Sequence, residues 1–228
     1  MDAMTSLALA SGAFVGTHFL LSHPLRAPLV KALTPMGFMI VYAVVAFGTL
    51  GWMSQAFKHA PSTPPLWEVG EAIWGTVTLV MLLASLLLMG SLIGNPALPG
   101  PAMATAPTPR GVFTITRHPM MWAFALWGVC HIAVYPIVAN IIVASAIIVL
   151  ALVGSLLQDA KKAVLQPDMW PAWAARTSWF PFAAIASGKT RFGGFRPYDW
   201  AGAIVLWLAA TWAHIPGAGI AAGIWRWL

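Results

Sequence analysis

Charged residues are scarce in this 228-residue chain, and their scarcity excludes most soluble folds. Asp, Glu, Lys and Arg make up 8% of the sequence, whereas 60% of it is hydrophobic. Soluble domains carry about 25% charged residues, and a soluble chain of this size could not cover so much apolar surface. We therefore expect lipid to be the solvent for much of the protein. The 13 Trp residues agree with this, because indole favours the headgroup layer of a bilayer.

Cysteine is nearly absent as well. Cys130 is the single cysteine, so the chain can form no internal disulfide. An oxidising and a reducing compartment are both compatible with a single cysteine.

The features of a signal peptide are also missing near the start. Asp2 stands where positive charge is expected, and no small-residue cleavage site follows the first apolar stretch. We expect that stretch to remain as a membrane span.

Six apolar stretches are long enough to cross a bilayer, which predicts an all-α integral membrane protein with a bundle of about six transmembrane helices. The predicted spans cover residues 3–21, 37–57, 72–93, 119–134, 136–157 and 200–214. A break at Pro216 and Gly217 is expected to leave residues 220–228 as a segment along the interface. Because no period of 20–50 residues repeats, residues 1–228 are predicted to form one membrane domain.

Basic residues are concentrated in the segments that follow the first, third and fifth spans. These segments contain Arg26, Lys31, Arg110, Arg117, Lys161, Lys162, Arg176, Lys189, Arg191 and Arg196. Only Lys58 and Arg226 lie on the other face. Under the positive-inside rule the basic segments are cytoplasmic, and both termini lie on the outer, periplasmic side. The net charge of +6 then indicates contact with anionic lipid and not with nucleic acid.

Two of the predicted cytoplasmic segments have an unusual composition. The loop before span four is expected to be extended and not helical, because it contains Pro96, Pro99, Pro101, Pro107 and Pro109. The segment 159–197 mixes basic residues with Trp170, Trp173, Trp179 and Phe180. This mixture predicts an interfacial layer that lies on anionic headgroups.

Histidines inside the bilayer are the first candidates for chemistry, because an ionisable side chain is costly there. His18 precedes Arg26 by eight residues, which places it about 12 Å into the bilayer. His131 follows Arg117 by fourteen residues, about 21 Å from the same face. The remaining histidines fall at or near the two boundaries: His23, His118, His59 and His214. Depth therefore selects His18 and His131.

Two imidazoles from two helices can hold a metal ion or the iron of a haem, provided that spans one and four are neighbours. Gly128 lies three residues before His131 on the same helix face and would leave space for a flat macrocycle. Arg26 lies on the stripe of His18 and would pair with a haem propionate. The structural alternative for each histidine is a neutral ring that hydrogen-bonds a neighbouring helix.

Several segments taken together resemble the NnrU family. They are His18-Phe19-Leu20-Leu21-Ser22-His23-Pro24-Leu25-Arg26, Thr116-Arg117-His118-Pro119-Met120-Met121-Trp122, Trp127-Gly128-Val129-Cys130-His131, Trp170-Pro171-Ala172-Trp173 and Thr177-Ser178-Trp179-Phe180-Pro181-Phe182. The resemblance covers nearly the whole chain. The family is similar to the plant zeta-carotene isomerase, a membrane enzyme that uses haem b to flip a central cis double bond of a polyene.

The resemblance implies that His18 and His131 hold the iron of haem b and act as the catalytic residues of a cis–trans isomerase. Arg26 would bind a propionate, and Trp127 and Gly128 would shape the pocket. The substrate would be an apolar polyene, and the location a bacterial inner membrane that the chain crosses several times. The family is named from an association with denitrification. A non-enzymatic factor that supports denitrification or respiratory enzymes is therefore the alternative.

A second resemblance, to isoprenylcysteine and phospholipid methyltransferases, rests on Arg117-His118-Pro119 at the mouth of a helix. In those enzymes the Arg-His-Pro segment and a downstream Glu pair help to hold S-adenosylmethionine, and Gln158-Asp159 stand where that pair would be. The resemblance implies a methyltransferase with Arg117, His118 and Asp159 around S-adenosylmethionine. By itself, the segment is typical of a basic anchor with a proline at a helix start.

Overall fold

The computed structural model describes residues 2–98 and 105–228, and its regular elements are helices. They are α1 (Ala3–Ser22), α2 (Arg26–Lys58), α3 (Glu71–Gly90), α4 (Pro119–Val134), α5 (Val138–Leu165), α6 (Met169–Arg176), α7 (Ala183–Ala186) and α8 (Pro197–Ala218), with 3-10 turns at Gly111–Thr114 and Gly223–Arg226. Within these ranges five helices, α1, α2, α3, α5 and α8, are long and apolar enough to cross a membrane. The all-α prediction is therefore confirmed.

Large apolar side chains cover the outside of the long helices. Phe47 of α2, Leu79 of α3 and Val205 of α8 are each about two-thirds or more exposed. In water such a surface would be strongly unfavourable, whereas lipid tails solvate it at no cost. The exposed faces therefore support a protein that lies in a bilayer.

Helix α5 occupies the middle of the bundle. It packs against α1 and α4, while α1 also packs against α2, α4 against α3, and α3 against α8. One buried cluster joins α1, α2 and α5 through Leu7, Ala10, Met53 and Ala139. Because α1 and α4 both pack on α5, the helices follow the lateral order α2, α1, α5, α4, α3 and α8.

Helix α2 contains a kink at Thr34 and Pro35. Thr34 has φ +64° and ψ +165°, outside the helical region. Proline has no N–H to donate, and its ring disfavours a helical conformation in the residue before it. The predicted second span therefore begins after the kink, and a helical segment that starts at Arg26 precedes it.

Helix α8 passes through Pro216, so the predicted break at this residue was wrong. The helix ends at Gly219, which has φ +67° and whose N–H donates to Ile215 O at 3.0 Å. A proline in the last turn removes a single hydrogen bond, whereas a left-handed glycine ends the helix. Residues 220–228 then fold back over the ends of α3 and α8, where Trp225 Nε1 donates to Leu208 O at 3.1 Å.

The predicted cytoplasmic segment 159–197 is only partly a surface layer. Trp170 and Trp173 are 2% and 1% exposed and pack in a cluster with Val112 and Phe113, so they are not available to headgroups. Phe180 is 62% exposed, as an interfacial layer requires. Of the prolines predicted to keep the preceding loop extended, Pro96, Pro107 and Pro109 lie outside helices. Pro99 and Pro101 fall outside the described residues.

Candidate functional site

The imidazole of His18 is oriented by its own helix. Nδ1 donates to the carbonyl oxygen of Phe14 at 2.6 Å. A carbonyl oxygen only accepts, so Nδ1 carries the proton and Nε2 keeps a lone pair in the neutral ring. The ring also packs edge-on against Phe14 and Tyr42, with centroid distances of 4.5 and 5.4 Å. Histidines that bind a metal through one nitrogen commonly have the other nitrogen fixed in this way.

His23 follows α1, and Ser22 determines which of its nitrogens carries the proton. Ser22 Oγ donates to His18 O at 2.5 Å, so its oxygen accepts from His23 Nδ1 at 2.8 Å. His23 Nε2 is therefore also left with a lone pair. This nitrogen is buried and has no hydrogen-bond partner among the described residues. Because buried polar atoms are nearly always paired, it indicates a place for a ligand.

A cavity of about 470 Å³ contains both His18 and His23. Its walls are largely apolar and come from α1, α2, α4 and α5: Phe14, Phe19, Leu50, Phe124, Ile147 and Leu150. It continues into a cavity of about 710 Å³, with which it shares Ser22, Tyr42, Gln158 and Lys161. We call the two together the His18 cavity. Each volume lies within the range of about 300–1,000 Å³ that is usual for small-molecule sites.

The second part of the His18 cavity is basic. Arg26, Lys161 and Lys162 line it, and no carboxylate occurs among its described lining residues. Lys161 Nζ donates to Ser22 O at 3.5 Å and Lys162 Nζ to Pro96 O at 3.0 Å. These carbonyl groups orient the ammonium groups but do not neutralise them. The cations therefore favour a ligand with an anionic group at this end.

His131 lies in another cavity, of about 340 Å³, between α3, α4 and α8, which we call the His131 cavity. Its Nδ1 donates to Trp127 O at 2.8 Å, and its ring stacks on Trp127 with centroids 4.0 Å apart. His214 of α8 lines the same cavity, with its ring centroid 6.0 Å from that of His131. The structure thus brings His131 together with His214 and Trp127, and places His18 in a different cavity.

Gly128 faces α5. A Cβ at Gly128 would lie 2.6 Å from Ile148 Cγ1 and 3.0 Å from the carbonyl oxygen of Ala144. Such a contact requires a residue without a side chain, since two helix backbones approach closely here. In the structure Gly128 therefore permits helix packing, and the space that was predicted beside it for a macrocycle is filled by α5.

Arg117, His118 and Asp159 are brought together as predicted, but they bind one another. His118 Nε2 is 2.7 Å from Asp159 Oδ1, and Arg117 binds Asp159 Oδ2 through Nε at 2.7 Å and through Nη2. The His118 side chain is 1% exposed, and the Arg117 N–H donates to Ser178 O at 2.8 Å. None of the three lines a cavity described above. This geometry favours a structural link between α4, α5 and the 176–180 segment.

Four histidine and lysine residues of these cavities were not predicted as ligand-binding residues. His23 and His214 were assigned to the membrane boundaries, and Lys161 and Lys162 were counted only for topology. His23 and Lys161 could have been predicted from the sequence, because each follows the end of an apolar run on the side where the basic residues are concentrated. His214 carries no such pattern, since its neighbour His131 is 83 residues away in the sequence.

These features define a helical membrane protein that crosses the bilayer several times and encloses a cavity with histidines and a basic end. The family model described as NnrU protein matches residues 6–222. The chain therefore belongs to the NnrU family, as its motifs indicated. Curated proteins and solved structures give no match. His18, His131 and His214 all lie within the matched region.

Proposed function

We propose that this NnrU protein binds haem b in the His18 cavity, with His18 Nε2 as the ligand to the iron. One observation carries the proposal: a cavity with an imidazole lone pair among apolar walls shares four lining residues with a cavity that three cations line. Haem b has a matching distribution of polarity. Its macrocycle is apolar, its iron accepts histidine nitrogen, and two propionates extend from one edge.

The residues present fit this group. Phe14 and Phe19 would pack on the macrocycle, and Arg26, Lys161 and Lys162 would bind the propionates through charge-assisted hydrogen bonds. The hydrogen bond from His18 Nδ1 to Phe14 O keeps Nε2 ready to bind. When bound, the haem supplies a Lewis-acidic iron that changes oxidation state.

Of the two imidazole lone pairs in the His18 cavity, the proposal assigns that of His18 to the iron, and it assigns none from His131, which lines another cavity. High-spin iron is therefore expected. The bis-histidine pair His18 and His131 predicted from the sequence would instead give six-coordinate, low-spin iron with sharp α and β bands on reduction. The spin state thus distinguishes the two arrangements.

The test is the absorption and electron paramagnetic resonance spectrum of detergent-purified protein reconstituted with haem. We expect a high-spin spectrum that His18→Ala abolishes and that external imidazole restores in His18→Gly. His131→Ala should retain the wild-type spectrum. His59→Ala is the matched control, because His59 Nδ1 also bonds a carbonyl four residues earlier, at 2.7 Å, outside both cavities.

Two results would overturn the proposal. Wild-type protein without a Soret band after reconstitution would exclude the haem, and His18→Ala with an unchanged spectrum would exclude the ligand. Loss of a low-spin spectrum in both His18→Ala and His131→Ala would support a haem shared by the two histidines. Isomerase activity on an apolar polyene stays a prediction of the resemblance, and turnover of a cis polyene by haem-loaded protein would test it.

We also propose that α4 crosses the membrane, so that the chain makes six crossings of a bacterial inner membrane with both termini outside. Helix α4 has 16 residues, about 24 Å in length, and packs between α3 and α5. Ser62 precedes these three helices in the chain, Ser187 follows them, and both are exposed. In a Cys130→Ser background, Ser62→Cys and Ser187→Cys each supply a single cysteine, and intact cells are treated with an impermeant maleimide. We expect the maleimide to label the protein at position 62 and not at position 187. Equal labelling would remove α4 as a crossing.

A further inference from the structure

His131 and His214 meet from two helices in a geometry that a metal ion would explain. Their ring centroids are 6.0 Å apart, and the ring planes are inclined by 35°. Each Nδ1 donates to its own helix, His131 to Trp127 O and His214 to Ala210 O, both at 2.8 Å. Both Nδ1 atoms therefore carry the proton, and both Nε2 atoms keep a lone pair in the neutral rings.

The spacing of the rings agrees with two ligands on one ion. Metal–nitrogen bonds of about 2.0–2.1 Å place the ring centres of two imidazoles that share an ion about 5–6.5 Å apart. The stack of Trp127 on His131, at 4.0 Å, restricts one of the two rings. The hydrogen bonds to carbonyl oxygens fix the tautomer of both imidazole rings. Histidines that bind a metal through one nitrogen usually make such a bond with the other nitrogen.

The residues around His131 and His214 indicate which metal ion would bind there. Across residues 2–98 and 105–228, no group of three or more His, Cys, Asp or Glu side chains is placed to hold a metal. Zinc in structural sites takes four protein ligands, and a divalent charge is costly in an apolar cavity. Copper(I) carries one charge, is satisfied by two imidazoles, and favours thioethers such as that of Met81, which lines the same cavity.

We propose that His131 and His214 bind one copper(I) ion in the His131 cavity. The site is separate from the haem site, since the two cavities share no lining residue among those described. It gives His131 a function that does not require contact with His18. It also gives a function to His214, which the sequence places at the membrane boundary.

The test is anaerobic titration of the detergent-purified full chain with copper(I) against bicinchoninate. We expect one copper(I) per chain, and at least tenfold weaker binding in His131→Ala and in His214→Ala. X-ray absorption at the copper edge of the wild-type complex should show two nitrogen neighbours. His59→Ala is the matched control and should bind as wild type.

Several outcomes would overturn the copper site. The site would be excluded if wild-type protein competed with bicinchoninate for copper(I) no better than His131→Ala/His214→Ala. It would also be excluded if His59→Ala lost as much copper(I) binding as the single variants of His131 and His214. Tighter binding of zinc(II) than of copper(I) would exclude the choice of ion. His214→Gln keeps the size of the side chain and should still lose copper(I), which separates loss of a ligand from loss of the fold. The X-ray absorption measurement uses wild-type protein, so its result does not depend on whether a variant folds.

Discussion

Gly128 of α4 and Ile148 of α5 are in such close contact that a Cβ on the glycine would lie 2.6 Å from Ile148 Cγ1. The carbonyl oxygen of Ala144 would be 3.0 Å away. Helix α5 also packs against α1, so this contact helps to fix the distance between the helices that carry His18 and His131. A substitution at Gly128 therefore acts on the whole bundle.

We expect Gly128→Ala to lower the free energy of unfolding by about 1–3 kcal/mol, the usual cost of an overpacked core. Alanine favours a helix over glycine by about 1 kcal/mol, but the clash with Ile148 and the Ala144 carbonyl outweighs that gain. Unfolding in mixed micelles with increasing sodium dodecyl sulfate measures the change. Gly16→Ala is the control, because a Cβ at Gly16 would meet nothing described within 4 Å. Equal stability of the two variants would contradict the prediction.

Asp159→Ala should destabilise the protein by about 3–5 kcal/mol, because it leaves the partly buried Arg117 and the buried His118 without their common acceptor. The same unfolding assay measures the loss. Asp168→Ala is the control, since Asp168 is exposed and makes no side-chain cap bond to α6. If Asp159→Asn folded normally but lost measurable binding of S-adenosylmethionine, the methyltransferase interpretation would replace the structural one.

Removal of both lysines from the basic end of the His18 cavity should weaken haem binding. A hydrogen bond to a charged group contributes about 1.5–3 kcal/mol, so we expect at least tenfold weaker binding in Lys161→Ala/Lys162→Ala. Titration of the haem-free protein with haem measures it. Lys189→Ala removes an exposed lysine of the same segment and should have no effect. Unchanged affinity in the double variant would place the propionates elsewhere.

Arg226→Ala should accelerate the release of copper(I) without a large loss of stability. Arg226 Nη2 binds Glu71 Oε1 at 2.6 Å, and Ile220, Ala222 and Gly223 of the same segment line the His131 cavity. Glu71 is 62% exposed, so solvent screens the pair and it contributes little to folding. The rate of copper(I) transfer to bicinchoninate measures the effect. Arg191→Ala changes an exposed arginine, and equal rates in the two variants would show that Arg226 does not hold the segment closed.

The sequence predicts the long helices better than it predicts which helices are neighbours. Apolar length located the long helices, and the choice of two histidines rested on their predicted depth. Neighbour relations depend on contacts such as Gly128 against Ile148, which no periodicity contains. His18 and His131 could therefore be assigned similar depths and still line different cavities. His214 was assigned to the outer boundary, as the last residue of the predicted span 200–214, whereas α8 continues to Ala218.

Residues 220–228 follow, in chain order, every helix that they cover. During synthesis α3, α4 and α8 therefore enter the bilayer before residues 220–228 exist. The wall that Ile220, Ala222 and Gly223 contribute to the His131 cavity is thus the last part of that cavity to form.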